Sequence, residues 1–523
     1  MKKAFRLPLI ITLFVILFIF IAGLIAPFFI EEHFKNKLVD EFTTQTENQY
    51  QLTLGDLDIG IWSKSVTADS IVIEPNKSPS TLKSFSTTSV KVKGIGWLTL
   101  LNNASPVFDS ITITEPETEL YSRDFSTLFS DSGSDQVNMP EFDIHIIKGR
   151  AKIVYPKGGE EFSLGRFDLD VRKININALT KDSSASYLEN LVFSGKDLTY
   201  MMEDKLYKFT VDEFEIETSS KLASITNFAF SPILPKYEFS EIRGHQLDRI
   251  DLKIADIELK GFEVDSLPGG VLNLDSLIVK DGWLEVFRDK HKPKAPGFSP
   301  KPLVNDMANS IGLPFGLDVA LISNSTIIYE EHTPPSEEPG HISFDALDAV
   351  LKNFKSASHP QFTDDTLTLY VETKFMNAAP LTVDISYPIF REDDTHYVKA
   401  HLDSIDPQEV AGMLEFVGFV RVESGMVHEL SAEMELNDTS STGQLKLLYD
   451  DLEVSFLNEN DPDRNGIREQ VSDFITNKFV LKSENTAEDP RIGEISYEKE
   501  EGKSIFAYWW RSLLSGIQSS IKS

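Results

Sequence analysis

The chain has 523 residues, with 82 acidic and 50 basic side chains and a formal charge of −32 at pH 7. A polyanion of this kind is repelled by nucleic acid and by anionic lipid headgroups, so we expect no nucleic-acid partner. The sequence contains no cysteine, which excludes disulfides, thiolate metal sites and cysteine nucleophiles.

The first feature along the chain is an uncharged apolar run from Leu7 to Ile30. A helix of that length measures about 36 Å, enough to cross the ~30 Å hydrocarbon core of a bilayer. Basic residues precede the run and acidic residues follow it, which predicts that the N-terminus stays in the cytoplasm. The alternative is a cleaved signal peptide. The length of the run and the lack of an Ala-x-Ala site favour an uncleaved anchor.

A change of periodicity follows the apolar run. Phe34, Leu38, Val39 and Phe42 recur at helical spacing and predict a short amphipathic helix. From Gln51 onward, apolar residues alternate with Asp, Glu, Lys, Ser and Thr, which is typical of strands with one dry face and one wet face. Because long stretches show no helical pattern, the sequence favours an antiparallel meander over a parallel sheet with crossover helices.

A weak internal repeat is visible at the tripeptide Asp-Ser-(Ile/Leu), which begins at Asp69, Asp109, Asp275 and Asp403. Around the second and third copies the wider text is similar, VFDSITITEPETELYSRD and NLDSLIVKDGWLEVFRD. Both segments are predicted to form a strand, a turn and a strand, which would make a β-hairpin repeated along an axis. The alternative is that Asp-Ser is simply common at strand edges.

Two later segments have helical signals. Asp406 and Pro407 have the residue types of a helix cap and a first helical residue. The segment from Ser504 to the end is the clearest helix, because apolar residues recur at every fourth position and form a stripe along one side. We consider two interpretations: the helix closes one end of the sheet as a core element, or its aromatic residues contact a membrane interface. The stripe consists of Ile505, Trp509, Leu513, Ile517 and Ile521.

Few motifs suggest chemistry. The oxygen-bearing Asp461, Asp463 and Asn465 copy the opening of an EF-hand calcium loop, but Ser472 occupies the position of its bidentate Glu. A turn between two elements is the preferred interpretation, and calcium remains a weak candidate. His396 and His401 would point to opposite faces of a strand, so they are not expected to share a metal. No phosphate loop, nucleophile elbow or zinc helix occurs, and the sequence therefore predicts neither an enzyme nor a cofactor.

Both ends of the chain resemble the AsmA-like proteins of the Gram-negative envelope, which are related to TamB. The resemblance rests at the N-terminal end on LTLGDLDIGIWSKSVTADSIVIEP and VKGIGWLTLLNNASPVFDSITITEPETEL. At the C-terminal end it rests on VESGMVHELSAEMELNDTSSTGQLKLLYDDLEVSFL and IGEISYEKEEGKSIFAYWWRSLLSGIQSSI. It covers roughly residues 1–125 and 400–523, and the middle of the chain is compatible with it.

The resemblance implies a mainly β fold. In this fold a transmembrane helix is followed by an elongated, curled antiparallel sheet with a taco-like groove, a few short helices and a C-terminal amphipathic helix. The corresponding regions are an anchor at 1–30, an AsmA-like N-terminal region at 31–125, a middle β-groove region at 126–400, and an AsmA-like C-terminal region at 401–523. A curled sheet that does not close has a concave face too wide for side chains to fill, so something apolar must cover it.

The function implied by the resemblance is transport of phospholipids, whose acyl chains would slide in the groove between the inner and outer membranes. The expected location is the inner membrane, with a single span and the bulk of the chain in the periplasm. The alternative is an anchored structural module that assists outer-membrane protein assembly and carries no lipid. Outer-membrane or periplasmic assembly proteins are possible partners under either interpretation. The residues expected to line the groove are Leu252, Ile254, Leu272, Leu274, Leu367, Leu369, Val371, Leu381, Val383, Leu445 and Leu447.

Overall fold

The computed structural model describes residues 31–60, 63–77, 80–96, 107–121, 141–155, 159–175, 188–262, 271–295, 314–334, 338–356, 358–359, 366–389, 391, 393–411, 420–456, 484–500, 502 and 504–521. The predicted anchor Leu7–Ile30 lies outside the described residues, as do Asp461, Asp463 and Asn465. Among the residues that are described, no helix is long and apolar enough to cross a membrane.

The described chain is mainly β, as the alternation predicts, and it folds as two compact units. One comprises Met1–Phe228 with Phe262–Gly269, and the other Ala229–Gly261 with Gly270–Ser523. The predicted division at residues 125 and 400 stays a prediction. Most strand pairs are antiparallel, and the parallel pairs are β5–β7 and β6–β7 in the first unit and β13–β14 in the second.

The described residues of the first unit form a helix and ten complete strands, and the boundary with the second unit falls within β11. Helix α1 spans Glu31–Gln45, where the helical spacing predicts it. Its Leu38 and Phe42 are buried in one apolar cluster with residues of β1 to β5 and β7. The strands are β1 Tyr50–Thr53, β2 Leu57–Gly60, β3 Ser65–Pro75, β4 Leu82–Lys93, β5 Ser110–Thr114, β6 Glu117–Tyr121, β7 Phe142–Val154, β8 Glu160–Ile174, β9 Asn190–Met201, β10 Tyr207–Glu217 and β11 Leu222–Pro232.

In the second unit, the part of the chain that the structure describes forms two helices, a 3-10 turn and the remaining strands. Helix α2 is Lys236–Arg243, the 3-10 turn is Pro407–Val410, and helix α3 is Ile505–Ile521. Asp406 caps the turn as predicted, because its side chain accepts a hydrogen bond from the Gln408 N–H. The strands are β12 Asp248–Lys260, β13 Leu272–Asp289, β14 Phe315–His332, β15 Gly340–Lys355, β16 Leu367–Phe375, β17 Ala379–Tyr387, β18 His396–Leu402, β19 Val420–Leu436, β20 Ser440–Phe456 and β21 Ile492–Glu498.

The predicted repeat of β-hairpins is wrong at both copies. Strands β5 and β6 do not pair with each other, because each pairs antiparallel with β4 and parallel with β7. Strand β13 is a single strand of 18 residues that pairs in the same way between antiparallel β12 and parallel β14. The turn signal Asp281-Gly282 does not reverse the chain: Asp281 has a φ of 53°, yet the registers with β12 and β14 continue unchanged on both sides of it.

The two copies nevertheless share local geometry. Gly94 and Gly261 each follow a lysine at the end of the antiparallel partner strand, and both have a φ of 77°. A Cβ atom at either glycine would lie 2.1 Å from the carboxyl carbon of Asp109 or Asp275, respectively. The sequence similarity therefore reflects a repeated arrangement in which the similar segment lies between an antiparallel and a parallel partner strand, as two strands in the first copy and as one in the second.

Candidate functional site

The strand register of the second unit aligns apolar side chains across nine strands. Residues directly opposite each other share a face of a sheet, so a chain of such partners traces one face from β12 to β20. We call this set the Val383 row. It consists of Ile257, Val279, Ile322, Ala349, Val371, Val383, Ala400, Ala432 and Leu445.

A second row runs beside the first on the same face and extends to β21. We call it the Leu369 row. Every member is apolar, apart from a glycine at β20. It consists of Leu259, Leu277, Ala320, Leu351, Leu369, Ile385, Val398, Met434, Gly443 and Ile495.

Bulges interrupt the strict alternation of strands β14 and β15. Asn324 and Ala346 have positive φ angles, and the register of β14 with β15 shifts at both places. At such a bulge the apolar sequence steps by three instead of two, as from Phe344 to Leu347 in β15, so the inward pattern continues beyond the bulge. At Asn324 the backbone N–H donates to the Asp348 carboxylate at 2.9 Å, which holds the bulge on the polar side.

The opposite face of the same strands carries charged side chains among apolar ones such as Ile278 and Leu321. There Lys253 lies 4.6 Å from the centroid of the Trp283 ring, and Lys236 of α2 forms ion pairs with Glu285 and Glu330. Burial lowers the pKa of Lys236, but its contacts with the two carboxylates outweigh that effect and raise it overall. The unit therefore has one dry face and one wet face, as the alternation predicts.

Coverage of the apolar face differs along the sheet. Over β12 to β14, the members of the Val383 row are half-buried. Toward β20, Ala432 and Leu445 are almost completely buried, at 2% and 0% exposure. The difference arises because α3 lies on the β20–β21 end, where its Tyr508 and Ile521 join the same apolar cluster as Leu445.

The predicted groove residues fall into three settings. Leu252, Ile254, Leu272, Val371 and Leu381 are half-buried. Leu369 and Val383 are also half-buried, but they pack against the cluster that contains α3. The remaining four are buried: Leu274, Leu367, Leu445 and Leu447.

Leu274 joins the same face through its partners in the register. It lies opposite Leu317, which lies opposite Phe354. Phe354 packs with Leu351 against the apolar cluster around Leu367. The positive φ of Asn353, at 61°, allows both side chains of β15 to reach that cluster.

One end of the apolar face in β12 to β14 is bordered by paired charges. The Arg288 guanidinium makes a two-pronged hydrogen bond with Asp248, at 2.6 and 2.5 Å. The Tyr329 hydroxyl donates to Glu331 at 2.7 Å, and Lys290 pairs with the same carboxylate. Burial, followed by the charge of Glu331, raises the pKa of Tyr329. Positive and negative groups are matched here, so the border offers no excess charge to a ligand.

An aromatic row in the first unit is absent from the predicted groove residues. Along β7 to β10, Gly149, Phe167, Gly195 and Phe214 lie opposite one another in turn, and a Cβ at either glycine would meet a phenylalanine ring within 2.5 Å. Phe193 makes an edge-to-face contact with Phe214 at 4.9 Å between centroids. The sequence signal that could have predicted this row is the alternation in FDLDV and FEIE, where the aromatic residue lies on the dry face.

The described residues provide little that is typical of catalysis. They contain no cluster of three or more His, Asp and Glu side chains able to hold a metal. His396 is buried and His401 is exposed on the other face, which confirms that they do not meet. His396 has a structural role, because its Nε2 accepts a hydrogen bond from the Trp509 indole at 2.9 Å.

The geometry thus defines a β protein with a long apolar sheet face that is covered at one end. Comparisons of the sequence with protein-family models and with curated proteins find no match.

Proposed function

We propose that this chain is an anchored envelope protein whose apolar sheet face binds phospholipid acyl chains and passes them between the inner and outer membranes. The observation that carries the proposal is that five of the six members of the Val383 and Leu369 rows over β12 to β14 are half-buried; the sixth, Ala320, is buried. An apolar face of this extent costs free energy in water, at about 25 cal/mol per Å² of apolar surface left exposed. Acyl chains would remove that cost.

The distribution of charge supports a ligand recognised by its chains. The protein carries a formal charge of −32, and the basic groups at the border of the face, Arg288 and Lys290, are paired with carboxylates. Among the described residues of this border, a phosphate group would meet two cations that are already paired. The proposal is therefore that binding depends on acyl chains, with little discrimination among headgroups.

The predicted anchor at Leu7–Ile30 supports placement at the inner membrane, with the β units in the periplasm. Protease added to spheroplasts is then expected to degrade the β units. A protease-protected domain, or a mature protein that begins near Glu31, would contradict this location.

Site-specific photo-crosslinking of the full chain in its membrane tests the binding proposal. The dry face is probed at Val279 and Ile322, and the wet face at their neighbours Ile278 and Leu321. These pairs are matched because all four residues are apolar, and Leu321 is in fact 40% exposed. Phospholipid is expected on Val279 and Ile322 at least tenfold above Ile278 and Leu321, measured by mass spectrometry of the adducts.

Two other results would reject lipid binding. Equal labelling of the two faces would show that exposure alone decides capture. Protein adducts without lipid would instead favour the structural alternative, in which this chain assists assembly of outer-membrane proteins.

A further inference from the structure

We infer that helix α3 is a fixed stopper that determines how far along the apolar face of the second unit an acyl chain can bind. The inference rests on the proposed function and concerns the extent of that same site. Both rows of the dry face continue beneath the helix without a change of register. The strands alone would therefore offer the same surface at β20 as at β13.

Close backbone approach indicates that α3 is built into the sheet. A Cβ at Gly493 of β21 would lie 2.1 Å from the carbonyl oxygen of Gly516, and a Cβ at Gly516 would lie 2.9 Å from the Cβ of Leu445. Each glycine removes the atom that would otherwise hold the helix away from the sheet. Ser512 and Ser520, on the same side of the helix, are also buried. No room remains for an acyl chain between α3 and β20.

Buried hydrogen bonds join the helix to the sheet at two points. The hydroxyls of Ser512 and Ser441 are 2.7 Å apart, and both residues are almost fully buried. The Trp509 indole donates to buried His396, whose ring stacks on Tyr387 with centroids 4.7 Å apart. Lifting the helix would separate the Trp509 N–H from the His396 Nε2, and a buried polar group left without its partner costs about 1–3 kcal/mol.

The helix is also tied to the last strand. The backbone N–H of Glu494 donates to the Ser519 hydroxyl at 2.9 Å, and that of Ser496 donates to Ser515 at 3.1 Å. At the C-terminal end of the helix, the Arg491 guanidinium donates to the carbonyl oxygen of Ser520 at 3.3 Å. These contacts hold α3 over most of its length.

The first turn of α3 forms the boundary with the uncovered face. Ile505 is buried in a cluster with Leu367 and Tyr387, against which Trp509 and Leu351 pack. Leu351 belongs to the Leu369 row on β15, so the first turn reaches the dry face at that strand. An acyl chain lying over β12 to β14 would meet this wall and would have to end or turn there.

An engineered disulfide distinguishes a fixed stopper from a movable lid. Ser441→Cys with Ser512→Cys introduces the only two cysteines of the chain, at positions whose hydroxyls already touch. Diamide takes up the two electrons and two protons lost by the thiols. The full chain then carries a photo-crosslinker at Val279 or Leu513, and phospholipid adducts are compared before and after oxidation. Ser512→Cys alone is the control, since it cannot form the internal bridge.

A fixed stopper predicts that oxidation changes lipid labelling at Val279 by less than twofold, and that Leu513 of α3 captures no lipid in either state. A tenfold loss at Val279 on oxidation, or lipid on Leu513, would overturn the stopper while leaving lipid binding intact. Absence of lipid at Val279 in the reduced protein would instead reject the proposed function, and the stopper with it.

Discussion

The covered and uncovered parts of the second unit have the same strand alternation and the same register, but their apolar residues are buried to different degrees. Leu445 on β20 is fully buried, whereas Val279 of the same row, on β13, is half-buried. The difference lies in the partner on the dry face, since α3 packs on β20 and β21. The comparison teaches that alternation identifies a dry face without identifying what keeps it dry.

Truncation of row members should give the largest contrast between the two parts. Leu445→Ala is expected to cost about 3 kcal/mol, because it opens a cavity beneath α3 that neighbouring atoms cannot fill. Val279→Ala should cost about 1 kcal/mol or less, because its side chain is half-buried. Hydrogen exchange of β20 and β13 in the full chain would measure each effect locally. Equal losses at the two sites would contradict the difference in coverage.

The close approach of α3 can be broken with one methyl group. Gly493→Ala places a Cβ against the Gly516 carbonyl oxygen, and relieving the clash should cost about 2 kcal/mol. Faster hydrogen exchange throughout α3 is the expected result. Glu494→Ala, at the next and exposed position of β21, is the matched control and should change stability by less than about 0.5 kcal/mol. If the two variants behave alike, the helix is not tightly packed on the strand.

The bulges of the uncovered part can be tested at Asn324. A β-branched residue tolerates a φ of 49° poorly, so Asn324→Val should destabilise β14 by about 1–2 kcal/mol. Asn324→Gly accepts the angle and should cost less. Proteolysis or hydrogen exchange of β14 would report both variants. A Val variant as stable as the Gly variant would show that the bulge is not maintained.

The smallest expected effect is a pH dependence confined to the covered part. Burial, assisted by the nearby charge of Lys499, lowers the pKa of His396 below its usual 6.5. The neutral imidazole is the form that accepts the Trp509 N–H. His396 has a higher pKa in the unfolded chain than in the folded protein, so the unfolded chain is protonated first as the pH falls. The stabilisation that neutral His396 gives the folded state is therefore complete above about pH 6.5 and decreases as the pH drops toward the lowered pKa.

His396→Gln retains an acceptor for Trp509 but does not titrate. Between pH 7.5 and 5.5 the melting temperature of the natural protein should therefore fall more than that of the variant. Parallel curves would show that His396 does not couple to the packing of α3.

Period-two alternation predicted the strands and the dry face, and helical spacing predicted α1 and α3. The sequence did not indicate the length of β13, because Asp281-Gly282 has the residue types of a hairpin turn and yet lies within one continuous strand. The sequence also could not predict which part of the dry face is covered, because Leu445 and Val279 occur in alternating segments of the same kind. The small residues Ser512, Gly516 and Ser520 lie on the side of α3 that packs on the sheet. The sequence alone could not identify this side, because it does not show that Gly493 of β21 lies opposite.

The serines of α3 have a second consequence, which concerns association between molecules. An edge strand usually presents free N–H groups that another chain can use to extend the sheet, which is a route to aggregation. On β21 the N–H groups of Glu494 and Ser496 are already bound to Ser519 and Ser515. Addition of a strand from another copy at that edge would first have to break these two hydrogen bonds, which disfavours polymerisation there.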